Sequence, residues 1–200
     1  MSSDALKIYQ ANAERLAQQY ELIAPDDLYQ PVMDLLPPPC RMADIGAGSG
    51  RDAAWFAAQG YRVTAVEPVA ELREAGMRYH ADARIEWLDD QLPHLPHVRR
   101  REPFSLVTMA AVWHHIPPAD RDAAMSSLAA ILAPAGRAVM SLRHGPVDPA
   151  RGLYDADADA VAVLAAQHGL SLLDRYTAQS VQPHNQHADI RWTWLVLQRD

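Results

Sequence analysis

The stretch Met42-Ala43-Asp44-Ile45-Gly46-Ala47-Gly48-Ser49-Gly50-Arg51, running on into Asp52-Ala53-Ala54-Trp55-Phe56, decides the fold. A short apolar run stops at a glycine-rich bend, and an alanine-rich helical segment begins at once. Gly46, Gly48 and Gly50 allow a sharp turn and bring a ligand close to bare backbone N–H groups. The helix starting near Gly50 points its positive end at that ligand. Asp44 adds a carboxylate at the carboxyl end of the strand. This order marks a parallel α/β sheet with a nucleotide-like cofactor at its top.

Upstream, Leu6, Tyr9, Ala13, Leu16 and Tyr20 recur at spacings of three and four, which predicts an amphipathic helix over 3–21 with Asp4 in its first turn. A second helix is expected over 27–36, ended by Pro37-Pro38-Pro39, a stiff spacer. Residues 1–39 form a helical cap segment ahead of a domain spanning 40–200. The cap has two readings: packing against the sheet, or a lid over the cofactor with Tyr9, Tyr20 or Tyr29 as contacts.

Downstream, strand and helix alternate. Strands are expected at 41–45, 61–66, 84–87, 104–109, 137–142, 170–176 and 190–198, and helices at 50–59, 69–79, 120–132 and 155–168. Gly60 and Gly169 close two helices, Gly76 weakens one, and Asp155 caps the last. Residues 134–136 read as a turn. A loop without a helix, 177–189, separates the final two strands, so these should pair antiparallel. The fold expected is a Rossmann-like three-layer α/β sandwich. Its sheet has seven strands, mostly parallel, with an antiparallel last strand.

Composition narrows the partners. Two hundred residues suit one α/β domain that buries roughly 70% of its unfolded surface. The lone Cys40 leaves no intramolecular disulfide and fits a reducing cytoplasm. No apolar run approaches the ~20 residues of a membrane span, and the amino-terminal stretch is too polar for a signal peptide. A net charge of −7 repels nucleic acid, and the basic run Arg99-Arg100-Arg101 reads as a solvated loop. His94-x-x-His97 and His184-x-x-His187 are cheap spacings among nine histidines, so no metal is expected.

Ligands in such sheets sit beyond the carboxyl ends of the strands. There, Glu67 lies 21 residues after Gly46, where an acid accepts hydrogen bonds from ribose hydroxyls. Asp89 and Asp90 follow the third strand, and either one could meet an adenine amino group. Val112-Trp113-His114-His115-Ile116-Pro117 follows the fourth strand, Arg143-His144 the fifth. Trp192-Thr193-Trp194 reads as packing, with one tryptophan on each side of its strand. Arg51 stands where a dinucleotide fingerprint needs a small residue, which argues against a nicotinamide cofactor.

Asp44-Ile45-Gly46-Ala47-Gly48-Ser49-Gly50 resembles motif I of the class I S-adenosylmethionine-dependent methyltransferases. Glu67, Asp89-Asp90, the Phe104–Val112 strand, Leu132-Ala133-Pro134-Ala135-Gly136 and the antiparallel ending follow that family's order, with Ala135 where it usually has a second glycine. The aromatic-His segment 112–117 resembles small bacterial members. The resemblance covers about 40–200.

It implies S-adenosylmethionine as cofactor, S-adenosylhomocysteine as product, and direct in-line methyl transfer to a small molecule. Gly46, Ala47, Gly48 and Gly50 would hold the methionine part and Glu67 the ribose. Asp89 or Asp90, with the Leu88 and Gln91 neighbourhood, would cover adenine, and Pro68 and Ala110 would be further cofactor contacts. Asp44 would orient the bend or reach the amino group through water. Arg51 either pairs with the cofactor carboxylate or sits on the surface. His114 and His115 are the candidate bases, with pKa near the free value of ~6.5. Trp113, Arg143 and His144 face the expected substrate side, where Arg143, Arg151 and Arg191 would suit an acidic acceptor. The absence of Asn/Asp-Pro-Pro-Tyr/Phe after the fourth strand argues against DNA-base methylation. The alternatives are a nicotinamide-dependent oxidoreductase and a non-catalytic cofactor-binding module.

Overall fold

The computed structural model of the chain describes residues 3–200, without the side chains of 3–5, 151, 183 and 184. The readings placed on the side chains of Asp4, Arg151 and His184 therefore lie outside the described residues. Seven strands form one sheet: β1 Arg41–Ile45, β2 Arg62–Val66, β3 Ile85–Leu88, β4 Phe104–Met109, β5 Leu132–His144, β6 Leu170–Gln179 and β7 Arg191–Arg199. Their order is β3-β2-β1-β4-β5-β7-β6. β1 to β5 pair parallel, and β7 runs antiparallel to both β5 and β6. This is the Rossmann-like arrangement with one reversed strand.

Helices cover both faces. α4 Arg51–Ala58 follows β1, α5 Ala70–Tyr79 follows β2, α6 Arg121–Ile131 follows β4, and α7 Ala158–Gln167 precedes β6. Phe56 of α4 packs with Val63, Leu106, Val139 and Trp194 on one face. Leu128 and Ile131 of α6 and Val161 and Ala165 of α7 pack with Met109 and Trp113 on the other. The central strands β1 and β4 are buried nearly throughout, as parallel strands covered on both faces must be. The chain leaves β1 toward β3 and returns to β4 on β1's other side, so a crevice opens at the carboxyl ends of β1 and β4.

The amino-terminal segment differs from the single helix expected. It forms α1 Ser3–Ala11 and α2 Ala13–Glu21, broken at Asn12, whose backbone leaves the helical range at φ −119° and ψ 11°. The Asn12 side chain donates to the Ile8 carbonyl at 2.8 Å, a local bond that competes with helix continuation. α2 lays Ala13 and Ala17 on Leu72 and Ala75 of α5. The next helix starts earlier than expected, as α3 Pro25–Tyr29, and continues as a 3₁₀ turn over Gln30–Leu35.

Three further differences have local causes. The expected turn at 134–136 lies inside β5 as an irregularity: Ala135 adopts φ +58°, and a Cβ on Gly136 would lie 2.8 Å from the Ala133 carbonyl. The cap of α7 is Asp157, which accepts from the Ala160 N–H at 2.8 Å, whereas Asp155 accepts from Ala156. Gly76, expected as a weak point, has a packing reason: a Cβ there would sit 2.6 Å from the Ser49 carbonyl and 2.4 Å from the Trp87 ring, so glycine lets α5 approach the bend. β6 runs three residues past the expected end, and α8 Pro183–His187 lies in the segment expected as plain loop. Among the described residues no helix is long and apolar enough to cross a membrane.

Candidate active site

A cavity of about 490 Å³ opens at the carboxyl ends of β1, β2, β4 and β5. One half is built by the glycine bend. Gly46 and Ala47 both donate their N–H to the Val66 carbonyl, at 2.7 and 3.0 Å, which ties the bend to β2. Gly46 has φ +74°, and a Cβ there would lie 2.5 Å from a Val112 methyl. Gly48 has φ +57° and lies beneath the Tyr20 ring of α2. Gly50, at φ +78°, is the residue that opens α4.

Glu67 is 5% exposed and lines this half. One carboxylate oxygen accepts from the Gly48 N–H and the other from the Val69 N–H, each at 2.9 Å. Each oxygen keeps a lone pair for a further donor. Burial pushes its pKa up, against the pull of those two bonds.

Beneath the bend lies a buried charge network. Arg51 donates through Nε to Asp52 at 2.7 Å and through Nη1 to the Tyr20 carbonyl at 3.1 Å. Tyr29 donates to the other Asp52 oxygen at 3.1 Å. Arg51 is therefore part of the cavity wall and its surface reading is corrected; its charge is already matched by Asp52. Thr108 donates to Asp44 at 2.8 Å. Burial first, and then the Asp52 charge, push Asp44 up to about 7.

The adenine side differs from the expected one. Asp90 is buried and accepts from the N–H groups of Gln91, His97 and Val98, so it anchors the loop. Asp89 is exposed and pairs with Arg73 at 3.1 Å. Neither lines the cavity, whereas Gln91, Leu92 and Pro68 do.

The other half is formed by the segment after β4, the end of β5 and β7. Ala110, Ala111 and Val112 line it, and the Ala111 N–H donates to Ser141 Oγ at 2.8 Å. His115 is held at both nitrogens. The Gly152 carbonyl, 2.9 Å from Nδ1, can only accept, so Nδ1 carries the proton. Nε2 then accepts from the Tyr9 hydroxyl of α1 at 2.8 Å. Burial pulls the His115 pKa down to about 4, against the Gly152 bond, which raises it. His114 lines the cavity with Nδ1 buried and unpartnered. Burial, then the neighbouring His115, hold its pKa well below the ordinary value.

Two expected substrate residues are elsewhere. Trp113 is fully buried in the core under α6, with the Arg121 guanidinium 5.9 Å from its ring. His144 follows Arg143 on β5 and so faces the opposite side, where it bonds Thr193 at 2.8 Å. Arg143 does line the cavity, donating to the Pro146 carbonyl at 2.8 Å. Arg191 pairs with Asp189 outside the cavity.

The reading of Trp192 and Trp194 as facing opposite sides is also corrected. Two residues apart on a strand share a face, and both tryptophans line the cavity. Sequence reasoning further missed Ser141 and Asp52. The period of two along the last strand, paired in register with Ser141 and Arg143, was the available signal.

Residues 42–136 match the family model described as a methyltransferase domain. No curated protein matches the chain. Among solved structures it resembles a 1,6-didemethyltoxoflavin N1-methyltransferase from Burkholderia thailandensis with bound 1,6-didemethyltoxoflavin and S-adenosylhomocysteine: TM-score 0.76, 20% identity, 98% of this chain and 88% of that one. A TehB-like S-adenosylmethionine-dependent methyltransferase from Corynebacterium glutamicum gives TM-score 0.70 at 19% identity over 95% and 99%. The magnesium protoporphyrin IX methyltransferase of Synechocystis, with bound S-adenosylmethionine, gives 0.67 at 14% over 96% and 84%. At these identities the structures speak for the fold, and the matched domain speaks for the class. Residues 42–136 carry a methyltransferase domain, and the chain as a whole has the fold of S-adenosylmethionine-dependent methyltransferases.

Proposed function

We propose that the chain transfers the methyl group of S-adenosylmethionine to a small-molecule acceptor by direct in-line displacement. The observation that carries this reading is the single cavity that runs from Gly48 and Glu67 to His114 and Arg143. The cofactor, when bound, supplies a methyl group already activated on a sulfonium. The Gly46–Gly50 backbone would hold its methionine part, and the free lone pairs of Glu67 would take the ribose hydroxyls. Gln91 and Leu92, rather than Asp89 or Asp90, would meet adenine. Asp44 and Arg51 form the floor, and Tyr9 and Tyr20 cover the site from the amino-terminal helices.

The protein's main task is then alignment, which in well-oriented intramolecular reactions reaches effective molarities of about 10⁵–10⁸ M. The two histidines separate in role. Both nitrogens of His115 are bonded within the chain, so it positions Tyr9. His114 is held neutral and has a nitrogen to offer, so it accepts a hydrogen bond from the acceptor and orients it. A reducing cytoplasm is the setting proposed, on the single Cys40.

The test is transfer of a labelled methyl group from S-adenosylmethionine across small hydroxylated and amino acceptors. Turnover is expected with at least one acceptor, and His114→Ala should lower kcat at least tenfold while S-adenosylhomocysteine affinity holds. Cofactor binding with no transfer to any acceptor would contradict catalysis and favour a binding module.

A further inference from the structure

The acceptor end of the cavity contains polar groups that the chain leaves open. His114 is 4% exposed, and neither of its ring nitrogens has a hydrogen-bond partner among the described residues. A buried polar atom without a partner is costly, and ligand sites are where such atoms persist. Arg143 is half-buried at the same end and donates only to the Pro146 carbonyl; no carboxylate pairs with it among the described residues. Acidic residues outnumber basic ones 25 to 18 in this chain, so a shortage of acids is not the cause. Trp192 stands directly across from Arg143 in the β5–β7 register and therefore on the same face. Its ring lies 6.0 Å from that of His114 at 66°. The Tyr9 and His115 rings, 5.4 Å apart at 89°, line the same cavity.

A guanidinium with no carboxylate partner among the described residues, aromatic rings lining the same cavity and an open imidazole nitrogen define one ligand chemistry. We propose that the acceptor is a planar aromatic acid, its carboxylate meeting Arg143 and its ring lying against Trp192 beside His114. A guanidinium recognises a carboxylate through paired N–H donors, and aromatic rings favour edge and offset contacts with another ring. His114 then faces the ring substituents and meets a hydroxyl or amino group. This rests on the cavity being the methyl-acceptor site of the proposed reaction.

The experiment titrates the protein, saturated with S-adenosylhomocysteine, with 2-hydroxybenzoate and 2-aminobenzoate, with their amides, and with cyclohexanecarboxylate. Both aromatic acids should bind at least tenfold more tightly than the amides and than the saturated acid. Arg143→Gln should erase the preference for acid over amide and keep that for aromatic over saturated. Trp192→Leu should do the reverse. Equal binding of acids and amides, an acid preference that survives Arg143→Gln, or binding of none of the set overturns the proposal. Failure of S-adenosylhomocysteine itself to bind overturns the methyltransferase reading, and the proposal with it. Saturation by it without any acid or ring preference overturns the proposal alone.

Discussion

The two halves of the cavity treat their polar groups in opposite ways. In the cofactor half, Glu67 already accepts from Gly48 and Val69, Arg51 is matched by Asp52, and Asp44 takes the Thr108 hydroxyl. In the acceptor half, among the described residues, the His114 ring has no hydrogen-bond partner and the Arg143 guanidinium only a carbonyl. The first half is preorganised by the chain's own bonds, so substitutions there should damage cofactor binding. The second leaves its bonding capacity to a ligand, at a cost of about 1–3 kcal/mol for each buried unmet group. Substitutions there should alter turnover and acceptor choice with little effect on the cofactor.

The largest effect expected is at Gly46. Gly46→Ala puts a methyl 2.5 Å from Val112 at φ +74°, so the bend must move. S-adenosylhomocysteine affinity should fall at least 100-fold, about 2.7 kcal/mol, in a titration. Affinity within threefold of the parent would show that the bend is not the cradle.

Asp44 gives a smaller effect with a pH signature. Its folded pKa, about 7, lies above the ordinary carboxylate value, so between roughly pH 4 and 7 the folded state holds a proton that the unfolded chain has lost. The stability tied to that proton is full below about pH 4 and gone above about 7. Asp44→Asn removes the charge, so its melting temperature should exceed the parent's at pH 8, with the gap closing by pH 4. A gap independent of pH would sever the link between Asp44 and its burial.

The smallest effect tests the closure of the acceptor half. Tyr9→Phe deletes one hydrogen bond to His115 and should cost about 1 kcal/mol of stability. KM for the acceptor should rise severalfold while S-adenosylhomocysteine affinity holds. An unchanged KM would show that α1 does not shape this half.

Much of this architecture was legible because its signals are local. The apolar run ending at Gly46, Gly48 and Gly50, the acid at Glu67 and the helix-free approach to β7 are patterns of spacing and punctuation. Side-chain facing was harder to read. Arg143 and His144 are neighbours on a strand whose faces swap with a one-residue change of register, and nothing local sets that register. Asp90 looked like a ligand acid because its partners, the N–H groups of Gln91, His97 and Val98, come from a loop whose path needs three dimensions. Arg51 was ambiguous for a similar reason: the Tyr20 carbonyl that holds it belongs to a helix 31 residues away. The helix break at Asn12 depends on a side-chain bond that periodicity does not register.

The central claim is that the glycine bend and Glu67 together cradle S-adenosylmethionine. It is tested most directly by calorimetric titration of S-adenosylhomocysteine, with NAD in parallel, into the parent protein and Glu67→Ala. Saturable one-to-one binding of S-adenosylhomocysteine to the parent is expected, with none of NAD and at least a 100-fold loss in the variant. No binding of S-adenosylhomocysteine to the parent, or tighter binding of NAD, would contradict it.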